Sequence, residues 1–233
     1  YPEQALPYLE EMLRRTPDNV KALLSVGRIH LQAKRLAQAR QVLERAISLA
    51  PALPEVWNEL GGGEAESGNP REALRAYEKA LALGPDLPHV LMNAAETHDQ
   101  LGNPAEAESV FRRAMAVDSR NPDAANGLGL LLAKRGRTGE ARKLFELAIS
   151  IRRDHASAIN NLGVLYMTIG QTNDAIAAFQ YGLHVAPDDE TLHMNLARIW
   201  VRTGDREKAR ELMRGLLARK PGSAAAQNAL KEL

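Results

Sequence analysis

Small residues recur every 34 positions along this chain, and that period decides the fold before any other property is weighed. Stepping by 34 from Gly27 reaches Gly61, Ala95, Gly129, Gly163 and Ala197. A second column reads Ala5, Ala39, Ala73, Ala107, Ala141, Ala175 and Ala209. From Ala39 onward, a large apolar residue follows each alanine four places later: Leu43, Tyr77, Phe111, Phe145, Phe179 and Met213. Breaks keep the same rhythm. Gly68, Gly102, Gly136, Gly170 and Gly204 mark one joint, and Pro51, Pro85, Pro187 and Pro221 the other. Between breaks the apolar residues are spaced by 3, 4 and 7, the helical rather than the strand period. Each repeat therefore predicts two helices of about 13 residues.

The helix ends carry their own chemistry. Asn69-Pro70-Arg71-Glu72 and Asn103-Pro104-Ala105-Glu106 each offer an Asn N-cap, Pro at the first helical position and Glu at the third. The glycine before each second helix is free to take a positive φ and end the first helix. Two helices approach to about 8 Å only where the crossing side chains are small. The Gly or Ala column of the first helix is thus expected to face the Ala column of the second, with the aromatic column filling the space beside it.

Composition narrows the function classes. Aromatics are only 4 % and hydrophobic residues 45 %, which suits helices with an apolar face. Lys plus Arg number 30 against 29 Asp plus Glu, so no overall field draws nucleic acid or an anionic membrane. The absence of cysteine excludes disulfides, thiolate nucleophiles and cysteine-bound metal, and leaves the compartment open. The longest apolar run, Gly127 to Ala133, is too short to span a bilayer, and no signal peptide is visible. Because the chain starts at Tyr1-Pro2 inside a repeat, it reads as a piece of something longer.

These columns resemble the tetratricopeptide repeat, most fully in Ile159, Leu162, Gly163, Tyr166, Ala175, Phe179, Gly182 and Pro187. With Val20 as position 1, the resemblance gives full repeats at 20–53, 54–87, 88–121, 122–155, 156–189 and 190–223. Residues 1–19 are then an orphan second helix, and 223–233 a closing helix. The fold implied is all-α: an α-solenoid of antiparallel helical hairpins, wound as a right-handed superhelix over residues 1–233, with first helices lining a concave groove.

The groove positions implied by the resemblance are 2, 5, 6, 9, 12 and 13 of each repeat. They give Lys21 and Arg28 in the first repeat, then Glu55, Asn58, Glu59, Glu66, Asn93, Glu96 and Asp99 in the next two. Asp123, Asn126, Asn160 and Asn161 follow with Leu130, Val164 and Met167, and the last repeat brings Met194, Asn195, Arg198 and Arg202. The expected groove is basic at both ends and acidic across repeats two and three. Recurring asparagine suits an extended peptide, since one amide both donates to and accepts from a peptide unit. The superhelical arm of O-linked N-acetylglucosamine transferases is similar in this respect. Equally, exposed Asn is tolerated on any solvated helix face. The clamp that some members use for a chaperone's terminal carboxylate needs Lys at position 5. Leu24, Asn58, Met92, Asn126, Asn160 and Met194 stand there instead, so that clamp is rejected.

Departures from the pattern are informative. Gly61-Gly62-Gly63-Glu64 replaces a helix core and an aromatic, and each extra glycine costs about 1 kcal/mol of helix propensity, making this the softest expected helix. His30 and His98 occupy the aromatic column and His193 another large position, which reads as packing with one ring nitrogen satisfied. No two histidines have a metal-ligand spacing on one helix face. Glu96 and Asp99 could pair as acid and base, but a solvated acidic patch explains them better. Phosphate loops, His-Glu-x-x-His and Gly-x-Ser-x-Gly are missing from the sequence.

The reading is a non-enzymatic scaffold binding protein or peptide, with no cofactor, metal, nucleic acid or membrane implied. The alternative is the recruiting or assembly arm of a larger enzyme, such as a glycosyltransferase or a sulfatase-like hydrolase. The orphan helix, with Leu6, Leu9, Met12 and Leu13 unpartnered, adds self-association through the N-terminal end.

Overall fold

The computed structural model describes residues 2–233, and among these every regular element is helical. They fall into two compact units. The first ends at Ser119 and holds a 3-10 turn, Pro2–Ala5, and seven helices: α1 (Leu6–Arg15), α2 (Val20–Gln32), α3 (Leu36–Leu49), α4 (Pro54–Glu66), α5 (Pro70–Leu83), α6 (Pro88–Gln100) and α7 (Pro104–Val117). The second, Arg120–Leu233, holds α8 (Pro122–Lys134), α9 (Thr138–Ile151), α10 (Ala156–Thr168), α11 (Thr172–Val185), α12 (Glu190–Thr203), α13 (Arg206–Arg219) and α14 (Ala224–Glu232). Helices α2, α4, α6, α8, α10 and α12 begin at residues 20, 54, 88, 122, 156 and 190, each 34 after the last. The chain is an all-α solenoid of helical hairpins. No helix among the described residues is long and apolar enough to cross a membrane.

Within each unit the core lies both inside hairpins and between neighbouring ones. Tyr77, Ala73 and Ala80 of α5 pack with Val90 and Ala94 of α6. Phe179 and Ala175 of α11 pack likewise with Leu192, Leu196 and Ile199 of α12. All six alanines from Ala39 to Ala209 in the second-helix column are fully buried.

The glycine column does something other than the sequence suggests. A Cβ on Gly163 would stand 2.6 Å from the Phe179 ring, on Gly129 2.8 Å from Phe145, and on Gly61 2.5 Å from Tyr77. The large residue of the second helix therefore lies across bare backbone of the first. It is the partner of the glycine rather than filler beside a crossing of small residues. A planar ring gains most contact on a surface without side chains, and at Gly61, Gly129 and Gly163 the glycine supplies one.

The joints also correct one expectation. Gly68, Gly102, Gly136, Gly170 and Gly204 all have positive φ, as predicted, and Lys34 takes that place in the first hairpin at φ 57°. Asn69 and Asn103, however, make no capping bond through their side chains. Their ψ values of 63° and 66° belong to the tight turn after the glycine. Asn69 Nδ2 reaches back to Glu64 Oε2 at 3.0 Å instead. Side-chain caps form at first helices, where Asn19, Asn121 and Asp189 have ψ of 94° to 110° and accept from Ala22, Ala124 and Leu192. The expected histidine packing holds only in part. His193 is bonded at both nitrogens, to Asp189 O and the Arg219 guanidinium. His30 Nδ1 and His98 Nδ1 are buried without a partner among the described residues.

Helix α4 runs unbroken through Gly61-Gly62-Gly63. Of the orphan-helix residues, Leu13 packs on the α2–α3 core and Leu6 and Leu9 are half-buried, while Tyr8 and Met12 keep 79 % and 45 % exposure.

Candidate functional site

In the first unit the residues named from sequence lie on α2, α4 and α6: Lys21 and Arg28, then Asn58, then Asn93 and Glu96. Lys21 stays exposed. Arg28 Nε donates to Glu59 Oε1 at 2.9 Å, and Lys34 Nζ lies 3.1 Å from Glu66 Oε2. These pairs join α2 and the turn after it to α4, and blunt the basic end that the sequence suggests. Asn93 Nδ2 donates to Asn58 Oδ1 at 3.1 Å, joining α6 to α4.

Three carboxylates of this face, Glu59, Glu66 and Glu96, act on one buried phenol. Because Gly62 has no side chain, the Tyr77 hydroxyl lies only 4.0 Å from where its Cβ would stand. Burial first, then the negative charge of Glu96, Glu59 and Glu66, pushes the Tyr77 pKa up, so this hydroxyl stays a neutral donor. Sequence inspection had no means of placing a residue of α5 behind a face made by α4 and α6.

The second unit repeats the amide contact twice. Asn161 Nδ2 donates to Asn126 Oδ1 at 2.9 Å, and Asn195 Nδ2 to Asn160 Oδ1 at 2.7 Å. Every such bond, in either unit, links residues 35 apart: position 5 of one repeat accepts from position 6 of the next. The spacing is one repeat plus one residue. It was present in the sequence as a signal, and it reads as a clasp only once successive first helices are known to lie side by side.

The clasp uses one carbonyl and one N–H of each pair. Among the described residues, the Asn126 and Asn160 amide groups make no other bond as donors, and neither does the Asn161 carbonyl as acceptor. Asn195 is buried, and its oxygen accepts from Arg198 Nη1 at 3.2 Å. Arg202, one turn beyond Arg198, is exposed. Leu130 and Val164, at position 9 of adjacent repeats, are each 40 % exposed beside this amide row. A polar hollow of about 200 Å³ opens where Ser157, Asn160 and Asn161 of α10 meet Thr191 of α12. Asp123, another implied groove position, is ion-paired. Its Oδ1 receives Arg152 Nη2 at 2.6 Å, and His155 Nε2 lies 3.0 Å away in poor hydrogen-bond alignment.

His155 caps α10 through Nδ1, which accepts from Ala158 N at 3.5 Å. Burial, then the Arg152 charge, lowers its pKa, against the raising effect of Asp123 and Asp154. Among the described residues no group of three or more His, Cys, Asp or Glu converges as a metal site would.

The face is thus a row of amides with apolar and charged neighbours, and its arrangement can hydrogen-bond a chain laid along it. Residues 4–233 match the family described as the cilia and flagella-associated protein 70 C-terminal domain. No curated protein gives a significant sequence match. Among solved structures, a chain of the APC/C hetero-tetramer Cut9–Hcn1 superposes with a TM-score of 0.78 at 21 % identity, over 100 % of this chain and 46 % of that one. A tetratricopeptide repeat protein from Parabacteroides merdae gives 0.74 at 21 %, over 99 % and 91 %. YrrB, described as a TPR protein with an unusual peptide-binding site, gives 0.58 at 19 %, over 79 % and 95 %. At such identities the likeness is one of fold. This chain spans under half the length of the Cut9–Hcn1 chain it matches.

Proposed function

The chain belongs to the family of the cilia and flagella-associated protein 70 C-terminal domain, a tetratricopeptide-repeat family, and we propose that its first-helix face holds an extended segment of a partner protein. The carrying observation is the amide row. Each clasp leaves amide donors at position 5 and, at Asn93 and Asn161, a carbonyl at position 6 available to a chain laid along the face. Such groups satisfy peptide N–H and C=O without dictating sequence. Selectivity then comes from what flanks the row: Lys21, Arg28 and Glu96 in the first unit, Leu130, Val164, Arg198 and Arg202 in the second. YrrB, with its peptide-binding site, supports the reading by analogy of fold.

The chain recruits rather than catalyses in this reading. The same role fits a recruiting arm within a larger enzyme, and the longer Cut9–Hcn1 chain illustrates how such repeats form part of a bigger chain.

The test is a peptide array probed with the whole chain, followed by titration of the best ligand. Replacing Asn126, Asn160 and Asn161 together by alanine should weaken micromolar-range binding by about a hundredfold. Undiminished affinity in a folded triple variant would end the proposal. Should the lost clasps unfold it, Leu130→Glu with Val164→Glu alters the same face at exposed positions, and unchanged affinity there is equally decisive.

The exposed Tyr8 and Met12 of α1 favour a second contact, between copies of the chain through this helix. Tyr8→Glu with Met12→Glu should then shift a concentration-dependent mass, measured by light scattering, to that of the monomer.

A further inference from the structure

A cleft lies away from the amide row, in the first unit, where α3, α4 and α5 meet. It holds about 480 Å³, within the range of small-ligand pockets. Trp57, Leu60 and Ala76 form its apolar floor, and Arg40, Glu64 and Arg75 stand around it.

The cleft has a cause in the repeat. Glu64 occupies the column that carries Leu132, Tyr166 and Trp200 in the second unit. Only 5 % of Glu64 is exposed; Arg40 Nη1 lies 3.2 Å from its Oε1, and Asn69 Nδ2 donates to its Oε2. Arg40 in turn binds Glu44, with Glu72 close enough to act on it. Tyr166 lies in the same surroundings, under the charges of Arg142, Glu146 and Asp174. Those three residues stand 102 places, three repeats of 34, after Arg40, Glu44 and Glu72. Where α10 supplies a phenol of its own, α4 supplies a shorter carboxylate drawn to Arg40 and Asn69, and the apolar floor stays open.

The lining carries no net charge, since Arg40, Arg75 and Lys79 stand against Glu64, Glu72 and Glu78. Arg40 is paired with Glu44 and Glu64, and Arg75 with Glu72 at 2.8 Å. A charged visitor gains little from walls already neutralised, whereas a ring with a hydroxyl can cover the floor and bond at the polar edge. From this we infer that the cleft is a second docking site, which takes a tyrosyl side chain presented by a partner segment and so completes from outside the column that Glu64 leaves unfilled. It is independent of the amide-row proposal, since none of its lining residues belongs to that row.

Trp57 reports on the site. The chain has two tryptophans, so the two indole N–H signals of Trp57 and Trp200 can be followed in the intact protein by two-dimensional NMR. Titration with the capped tripeptide Gly-Tyr-Gly should move the Trp57 signal along a saturating curve and leave Trp200 in place. Capped Gly-Ala-Gly should move neither. Glu64→Leu, which installs the residue found at position 132, should keep the fold and weaken tripeptide binding about tenfold. If that variant misfolds, Ala82→Phe blocks the cleft from an exposed lining position and should have the same effect. A Trp57 signal that never saturates, or affinity unchanged in whichever variant folds, overturns the assignment.

Discussion

Hairpins α4–α5 and α10–α11 share one architecture and differ in nearly everything that fills it. Both lay a ring across a glycine, Tyr77 over Gly61 and Phe179 over Gly163, and both turn through a glycine at almost the same φ, 78° and 79°. Beyond that, α10 continues with Val164-Leu165-Tyr166 and is capped by His155, whereas α4 continues with Gly62-Gly63-Glu64 and has no side-chain cap at Leu53. These two hairpins thus share the ring on glycine and the glycine turn, and differ at residues 62–64 against 164–166. At the end of that stretch α4 carries a carboxylate where α10 carries a phenol, and a cleft lies beside the carboxylate.

If the ring-on-glycine contact is equivalent in both hairpins, deleting the ring should cost about the same in each. Phe179→Ala and Tyr77→Ala should each lose about 3–5 kcal/mol in urea unfolding, and a Tyr77→Ala loss below about 1 kcal/mol would break the equivalence. The glycines of α4 sharpen the point. Gly61→Ala should destabilise by about 1–3 kcal/mol, because its Cβ would stand 2.5 Å from the Tyr77 ring. Gly62→Ala, whose Cβ would meet only the Tyr77 hydroxyl at 4.0 Å, should stabilise by about 1 kcal/mol.

The joints should behave alike. Gly68→Ala and Gly170→Ala should each cost about 1–2 kcal/mol, since both force a side chain into the left-handed region with nothing else disturbed. Acid should separate the hairpins again, with the smallest effect. The folded-state pKa of His155 is lowered, so the unfolded chain binds the proton more readily. Its stabilising effect is intact above the unfolded pKa of about 6.5 and fades as pH falls toward the folded value. Protection against amide exchange at Ala158 and Ile159, taken relative to the intrinsic rate at each pH, should fall over that window by about the worth of one cap, ~1 kcal/mol, and His155→Asn should flatten the response. Helix α4 has no side-chain cap to lose, and should show no counterpart.

The hairpin pattern was legible because it is carried by residue size at a fixed period, a property each position announces by itself. The positive φ at Gly68 and its equivalents followed in the same way. What escaped depends on neighbours that only folding creates. Asn58 and Asn93 read as separate ligands until the first helices lie side by side, and their spacing of 35 then becomes a bond. Asn69 reads as a cap, and its ψ of 63° turns the amide to Glu64. Glu64 reads as a flaw in a helix, because its Arg40 partner is in a different element. The groove positions came from resemblance rather than from the chain's own chemistry, so the ion pair of Asp123 with Arg152 could not be read in advance.

The first helices are joined in two chemically distinct ways, and solutes will tell them apart. Between α2, with the turn after it, and α4 the link is ionic, Arg28 with Glu59 and Lys34 with Glu66, with both cations exposed. Between α4 and α6, α8 and α10, and α10 and α12 it is made of uncharged amides. Raising ionic strength from about 0.1 M to 1 M shortens the screening distance from about 10 Å to 3 Å. Salt therefore loosens the ionic seam of the first unit and leaves the amide seams, one in that unit and two in the second, as they were.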